Sequence, residues 1–180
     1  MSESITHLTC QCGEVHLKVI GRAIVNAQCL CSDCQKAGAI LQKRLGSPCI
    51  LDENGATRFV LFRKDRVVFL QGQAHLKALY LEKDSTTKRT IASCCNTPIM
   101  LDFSAGHWFS VYGLLWPKHS LPALELRTMT RSRPKGVVLT DDVPNPNTHT
   151  VSFYFKLFFA WAKMGFRVPK LPFIVNRLED

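Results

Sequence analysis

The chain has 180 residues, which is the size of one ordinary domain or of one domain with an appendage. Its apolar fraction of 46% excludes a disordered or fibrous protein, and a chain of this length can form a core without disulfides or metals. The net charge of +9, from 23 Lys and Arg against 14 Asp and Glu, favours anionic partners without selecting among metabolites, nucleic acid and lipid headgroups.

The chain begins with the sequence MSES, which lacks the basic and apolar regions of a secretory signal. The longest apolar stretch, residues 151–168, contains three basic residues and is poorly suited to span a bilayer. The eight cysteines therefore favour a reducing compartment, where thiols more often bind metals or react than form disulfides. We predict a cytoplasmic protein.

Up to about Arg127 the sequence predicts mostly β-structure. Short apolar or alternating runs rich in β-branched residues are typical of strands. The predicted strands are Val15–Ile20, Ile24–Cys29, Arg58–Leu61, Arg66–Gln71, Lys77–Leu81, Lys88–Ser93 and His107–Tyr112. Turn residues such as Asn54, Gly55 and Gly72 separate them, and one short helix is predicted over Gln35–Leu45.

The remainder of the chain has a different character. Thr148 or Thr150 caps a predicted helix that runs to about Met164 and ends at Gly165. The chain thus divides into a β domain at 1–127, a basic and proline-rich linker at 128–147, and an aromatic C-terminal helix with its tail at 148–180.

The predicted C-terminal helix is aromatic on nearly all sides. Its polar residues form one narrow stripe of Ser152, Lys156 and Lys163. Such a helix can pack onto its own β domain, contact a membrane surface or cover a neighbouring subunit in a homodimer. The sequence leaves these three alternatives open.

Seven of the eight cysteines fall into three clusters. They are Cys10 with Cys12, Cys29 with Cys31 and Cys34, and Cys94 with Cys95. The C-x-C-x-x-C triplet places three thiolates within one tight turn, where they can bind one tetrahedral ion and leave its fourth position free, as in a catalytic zinc. The alternatives are a redox centre or chance clustering. The first pair needs distant partners, which only the last pair can supply, and the lone Cys49 is expected to be buried.

These motifs resemble the glutathione-dependent formaldehyde-activating enzyme family, which includes centromere protein V. The resemblance covers about Leu8 to Tyr112 and rests on C-x-C-G-x-V from Cys10, C-x-C-x-x-C from Cys29 and C-x-x-P ending at Pro98. It implies a mainly β fold of several short, curved antiparallel sheets around cysteine zinc sites. In this chain a C-terminal helical extension would follow.

The resemblance also implies two sets of zinc ligands. The open, catalytic zinc would be bound by Cys29, Cys31 and Cys34. The structural zinc would be bound by Cys10, Cys12 and Cys95. The F-C-x-x-C-G motif of the family would place one more cysteine where this chain has Ala92, and its glycine where this chain has Asn96. Cys94 is therefore the candidate for the fourth ligand.

By this resemblance the protein is a zinc-dependent carbon–sulfur lyase or synthase. Its substrate would be a thiol adduct of a small aldehyde such as formaldehyde, with glutathione as co-substrate and one or two Zn²⁺ per chain. Carboxylates of the thiol would need cations, and Lys36, Lys43 and Arg44 are the nearest to the triplet in sequence. The alternative for these cations is a solvated surface.

A second hypothesis is a catalytically inactive, zinc-stabilised binding module with a basic surface. Its basic cluster would consist of Arg127, Arg131, Arg133 and Lys135. Nucleic acid is the partner that this cluster and the net charge of +9 would suit, with binding that weakens steeply as salt rises. The sequence contains no aromatic-studded basic strand and no groove-reading motif, which argues against that partner.

Overall fold

The computed structural model describes residues 3–117, 119–171, 173 and 175–178. The first two residues of the predicted β domain and the last two of the predicted tail lie outside this set. The described chain is mainly β, with two sheets and a C-terminal helix, which confirms the predicted fold class. Its helices are α1 (Ser32–Gln42) and α2 (Val151–Ala162). Its strands are β1 (Ile5–Thr9), β2 (His16–Ile20), β3 (Val25–Cys29), β4 (Thr57–Arg63), β5 (Val67–Gln71), β6 (Leu76–Leu79), β7 (Thr87–Ala92), β8 (Thr97–Phe103), β9 (Trp108–Tyr112), β10 (Leu126–Thr128) and β11 (Asn176–Arg177).

The strands form a small and a large sheet. The small sheet has the order β1-β2-β5, and the large sheet has the order β10-β3-β4-β9-β8-β7-β6-β11. Pairing is antiparallel except at the two edges of the large sheet, where β10 pairs with β3 and β11 with β6 in parallel. Both parallel partners come from the C-terminal third of the chain, which thereby joins the β domain.

The large sheet lies between the small sheet and the two helices. Along β4, Val60 and Phe62 pack into the core shared with the small sheet, whereas Phe59 and Leu61 pack into the core shared with the helices. Because successive side chains of a strand point to opposite faces, this alternation requires apolar residues at every position of a central strand. The helix-side core is the one that contains the C-x-C-x-x-C triplet.

Local signals place the C-terminal helix against this second core. Thr150 is the cap, and its Oγ1 accepts a hydrogen bond from the Phe153 amide at 3.1 Å. The residues that α2 buries are Phe153, Leu157 and Ala160, at helical spacing. Twelve residues extend only about 18 Å, and no helix in the described part of the chain is long and apolar enough to cross a bilayer.

The predicted linker follows the edge of the β domain closely. The Arg127 amide donates to the Pro144 carbonyl at 2.9 Å, and Thr130 Oγ1 donates to the Pro146 carbonyl at 3.0 Å. The buried Arg127 guanidinium also pairs with Asp142 at 2.8 Å. These contacts fix the path by which the chain reaches α2.

Candidate metal centres and the adjoining cavity

The triplet forms a cluster at the junction of β3 and α1. The Sγ atoms of Cys29, Cys31 and Cys34 all lie within 4.8 Å of one another. Cys31 is the cap residue of α1, with extended backbone, and its Sγ accepts a hydrogen bond from the Cys34 amide at 3.4 Å. The end of one strand and the first turn of one helix therefore bring the three thiols together. We call them the three-cysteine cluster.

The three thiols titrate as one group. Hydrogen bonds from the thiols of Cys29 and Cys34 lower the pKa of Cys31 far below its usual value. The contact with Cys31 raises the pKa of Cys29, and the contacts with Cys29 and Cys31 raise the pKa of the buried Cys34. The cluster thus stabilises a thiolate at Cys31, and the position at a helix N-terminus favours it further.

The remaining two pairs meet in a second cluster. Sγ separations are 3.5 Å for Cys10–Cys12, 3.3 Å for Cys12–Cys94 and 3.9 Å for both Cys10–Cys94 and Cys94–Cys95. Four thiolates at about 2.3 Å from a tetrahedral ion are separated by about 3.8 Å. The spacing fits such an ion, and Cys94 lies with Cys10, Cys12 and Cys95. We call this the four-cysteine cluster.

A left-handed residue allows neighbouring cysteines to share one site. Asn96 has φ +53°, so the chain turns sharply after Cys94 and Cys95. The Asn96 side chain donates to the Leu45 carbonyl at 2.9 Å and accepts from Arg44 Nε at 3.4 Å. The loop after α1 therefore holds the turn that points both sulfurs toward Cys10 and Cys12.

All eight cysteines are free thiols, so the two clusters contain no disulfide. Both could hold a metal ion, and an all-sulfur donor set is typical of zinc. Cys49 belongs to neither cluster. It is exposed and contacts Gln42 Nε2 at 3.1 Å and the Leu51 carbonyl at 3.2 Å, so the expectation that it is buried is wrong. Its polar contacts are with the last residue of α1 and with the loop that follows this helix.

A cavity of about 770 Å³ adjoins the three-cysteine cluster. All three of its cysteines line this cavity, whereas none of the four-cysteine cluster does so among the described residues. Most of the wall is apolar and comes from the large sheet and α2. Its large apolar side chains include Phe59, Leu61, Leu101, Phe103, Trp108, Phe153 and Leu157.

His149 is the histidine among the described residues that line the cavity. Its Nδ1 is 2.9 Å from Thr128 Oγ1, and its ring stacks on Phe153 at 4.5 Å. Burial lowers the pKa of His149, which keeps the imidazole neutral at neutral pH. No sequence motif singles out His149, because its partners Thr128 and Phe153 lie on β10 and α2.

Arg89 is the only Lys or Arg among the described residues that line the cavity. It lies on β7 and is 2% exposed. Its Nη2 donates to the Asp33 carbonyl at 3.4 Å, and the guanidinium also contacts the Tyr112 hydroxyl. No sequence motif singles out Arg89.

The cations predicted to bind the thiol adduct lie elsewhere. Lys36 is exposed and pairs with Glu82. Arg44 lies at the Asn96 turn, beside the four-cysteine cluster, and Lys43 is exposed at the end of α1. None of the three lines the cavity.

Residues 1–115 match the model of a family described as "Family of unknown function (DUF6151)". The chain belongs to this family. The part that matches the DUF6151 model contains both cysteine clusters and Arg89, and it ends before β10 and α2.

No curated protein matches the chain. Among solved structures, it is similar to the crystal structure of a Rhodobacter sphaeroides protein, with 16% sequence identity and a TM-score of 0.46. The similarity covers 78% of this chain and 99% of the other. Similarity at this level supports no conclusion about activity.

Proposed function

We propose that the protein binds Zn²⁺ at the three-cysteine cluster and there makes or breaks the carbon–sulfur bond of a thiol adduct of an aldehyde. One observation carries this proposal: the three-cysteine cluster lines a cavity of about 770 Å³, and no residue of the four-cysteine cluster lines that cavity. The resemblance of the cysteine motifs to the glutathione-dependent formaldehyde-activating enzyme family supports the same reaction. Glutathione is accordingly the first thiol to test.

The reaction needs no oxidant or reductant. In the forward direction the thiol sulfur forms a bond to the carbonyl carbon, the π electrons of the C=O bond pass to oxygen, and the oxygen takes the thiol proton. The reverse direction breaks the same bond. A zinc ion at Cys29, Cys31 and Cys34 would supply Lewis acidity that lowers the pKa of a thiol.

Residues of the cavity would serve this reaction in two ways. The neutral imidazole of His149 lines the cavity and can carry the proton between sulfur and oxygen. The apolar wall excludes water, which limits competing hydration of the aldehyde. The four-cysteine cluster would hold a structural zinc that ties the β1–β2 turn to the β7–β8 turn.

The test combines metal analysis with a thiol-adduct assay. The purified protein should contain two zinc ions per chain and should accelerate exchange between glutathione, formaldehyde and their adduct, followed by NMR. Cys31→Ser should lose one zinc and reduce the exchange rate by about 100-fold or more. Cys49→Ser is the matched control, because Cys49 is exposed and belongs to neither cluster. Unchanged exchange by Cys31→Ser would contradict the proposal.

The same experiment tests the inactive binding module with a basic surface. A protein of that kind would contain one zinc, lose it on replacement of Cys10 and keep it on replacement of Cys31. It would also leave the exchange rate at the level of the uncatalysed reaction. That combination would replace the enzyme proposal.

A further inference from the structure

Arg89 makes no ion pair with an Asp or Glu among the described residues. A guanidinium stays charged at any ordinary pH, and this one is 2% exposed. Its partners are the neutral Asp33 carbonyl and the Tyr112 hydroxyl, and its Nε has no partner among the described atoms. The carboxylate of Asp33 is exposed and makes no ion pair with a described cation. Burying an uncompensated charge is costly, so an anion is expected beside Arg89.

The wall around Arg89 is suited to a large apolar group. A cavity of about 770 Å³ is in the range that holds drug-sized ligands, and each water in the liquid takes only about 30 Å³. The ring centroids of Phe103 and Trp108 lie 5.5 Å apart in one part of the wall, and Phe153 of α2 lines the same cavity. The single carbon that formaldehyde adds to a thiol would cover little of this apolar wall and leave most of it in contact with water.

We infer that the cavity takes a ligand with one carboxylate and a bulky apolar body, with the carboxylate on Arg89 and the body among Phe103, Trp108 and Phe153. A carboxylate can accept two hydrogen bonds from one guanidinium, which fixes its orientation. This inference names the substrate class of the proposed reaction and rests on that proposal for its chemistry. It assigns the substrate an alkyl or aryl portion much larger than a single carbon.

The test uses octanoate and its uncharged amide, octanamide, as non-reacting probes. Calorimetric titration of the full, zinc-loaded chain should show octanoate binding at least about 10-fold more tightly than octanamide. Affinity should also rise about threefold per added methylene from butanoate to octanoate. Equal binding of acid and amide, or no dependence on chain length, would overturn the inference.

Variants test whether Arg89 contacts the ligand or instead balances the charge of the three-cysteine cluster. Arg89→Met should bind octanoate and octanamide equally while keeping its zinc. Lys88→Met is the matched control, because Lys88 is the neighbouring cation on β7 and pairs with Asp102 instead of lining the cavity. It should keep the preference for the acid. An Arg89→Met protein that keeps the preference but loses zinc from the triplet would assign Arg89 to the cluster and overturn the inference. The chain-length series in the unmutated protein applies even if Arg89→Met fails to fold.

Failure of this inference and failure of the proposed reaction give different results. If the reaction is wrong, octanoate still binds in the Arg89-dependent manner, while exchange of glutathione and formaldehyde is absent or unaffected by Cys31→Ser. If only the inference is wrong, Cys31→Ser abolishes exchange and the acid has no advantage over the amide.

A second, independent observation concerns the outer side of α2 and the turn after it. We define the aromatic face as Val151, Tyr154, Phe155, Phe158, Phe159 and Phe166. Each of these side chains is between 49% and 73% exposed. A contiguous exposed apolar patch of this kind marks an interaction surface.

The charge around the aromatic face selects one partner. No Asp or Glu occurs from residue 143 to residue 178, whereas Lys163, Arg167 and Lys170 follow the helix closely. Exposed aromatic rings bordered by cations match the interface of an anionic bilayer, where rings enter the headgroup region and cations contact lipid phosphates. We propose that α2 lies flat on an anionic lipid surface through the aromatic face.

Vesicle sedimentation tests this second proposal. The full chain should pellet with vesicles of phosphatidylcholine and phosphatidylglycerol and remain in the supernatant with phosphatidylcholine alone. The double variant Phe155→Ser/Phe159→Ser should reduce pelleting at least about 10-fold, while Leu45→Ser, at a residue that is 95% exposed elsewhere, should not. No pelleting with anionic vesicles would overturn the proposal. So would a dimer in analytical ultracentrifugation that the double variant dissociates without any vesicle binding.

Discussion

The two cysteine clusters share their donor atoms but differ in how the chain supplies them. The three-cysteine cluster comes from a single local segment, residues 29–34, and opens onto the cavity. The four-cysteine cluster joins two turns that are more than eighty residues apart, and one of its thiols, Cys10, is only 2% exposed. Three thiols would leave one position of a tetrahedral ion for a ligand, whereas four thiols would occupy every position. Under the proposed function, the first cluster would have a chemical role and the second a structural one.

The strongest test of this comparison is the replacement of Cys10. Cys10→Ser should remove one zinc and destabilise the fold by about 3 kcal/mol or more, because metal binding at a closed site contributes directly to folding. For a chain of this size, that corresponds to a fall in Tm of about 10 °C. Thermal unfolding with zinc analysis measures both effects. Cys31→Ser, compared in parallel, should lower Tm by much less, and equal losses would remove the distinction between the clusters.

A smaller effect is expected at the turn that shapes the four-cysteine cluster. Asn96→Ala puts alanine, which disfavours the left-handed region, at a backbone position with φ +53°. It also removes the hydrogen bond from the Asn96 side chain to the Leu45 carbonyl. The cost should be about 2 kcal/mol, and zinc should bind less tightly at this cluster only. Asn96→Gly tolerates the same backbone, so it should lose about half as much. Zinc loss from the triplet in Asn96→Ala would contradict the independence of the two sites.

The smallest expected effect is on stability and concerns α2, which packs on the face of the large sheet that carries the cavity. Nε2 of the buried His107 is 2.8 Å from the Leu157 carbonyl oxygen of this helix. Burial lowers the pKa of His107, and the nearby charge of Lys64 lowers it further. A lowered folded-state pKa means that the unfolded chain binds more protons, so stability should fall as pH drops below about 6.5. His149 acts in the same direction.

His107→Gln keeps an amide donor for the Leu157 carbonyl and removes the titration. Its Tm should therefore change less between pH 7.5 and pH 5.5 than that of the unmutated protein, by an amount equivalent to less than about 1 kcal/mol. His149 retains the remaining slope. An identical pH profile for the two proteins would show that His107 does not couple protonation to the helix.

The sequence predicted best what local spacing determines. The C-x-C-x-x-C triplet required no knowledge of the fold, and all seven predicted strands overlap observed ones. The strand β8 was missed because six of its seven residues are buried, which removes the alternation that reveals a strand with one solvated face. The membership of Cys94 depended on the left-handed Asn96, since adjacent side chains otherwise point apart.

The residues that only tertiary contacts reveal could not be predicted. Arg89 lies on a strand whose pairing shifts between Thr90 and Ile91, and its burial depends on α1 and β9. A lone arginine in an alternating segment is typical of a solvated face. The parallel pairs at both sheet edges likewise join segments distant in sequence, and such pairings leave no local pattern.

The part of the cavity wall that α2 supplies lies outside the segment of the chain that contains the three cysteines. Cys29, Cys31 and Cys34 belong to the stretch shared with the family, whereas Phe153 and Leu157 come from the helix beyond it. Exchanging the C-terminal segment would therefore change the size and shape of the cavity and leave its three thiols unchanged. A change confined to the C-terminal segment would thus change which ligands fit beside the three-cysteine cluster.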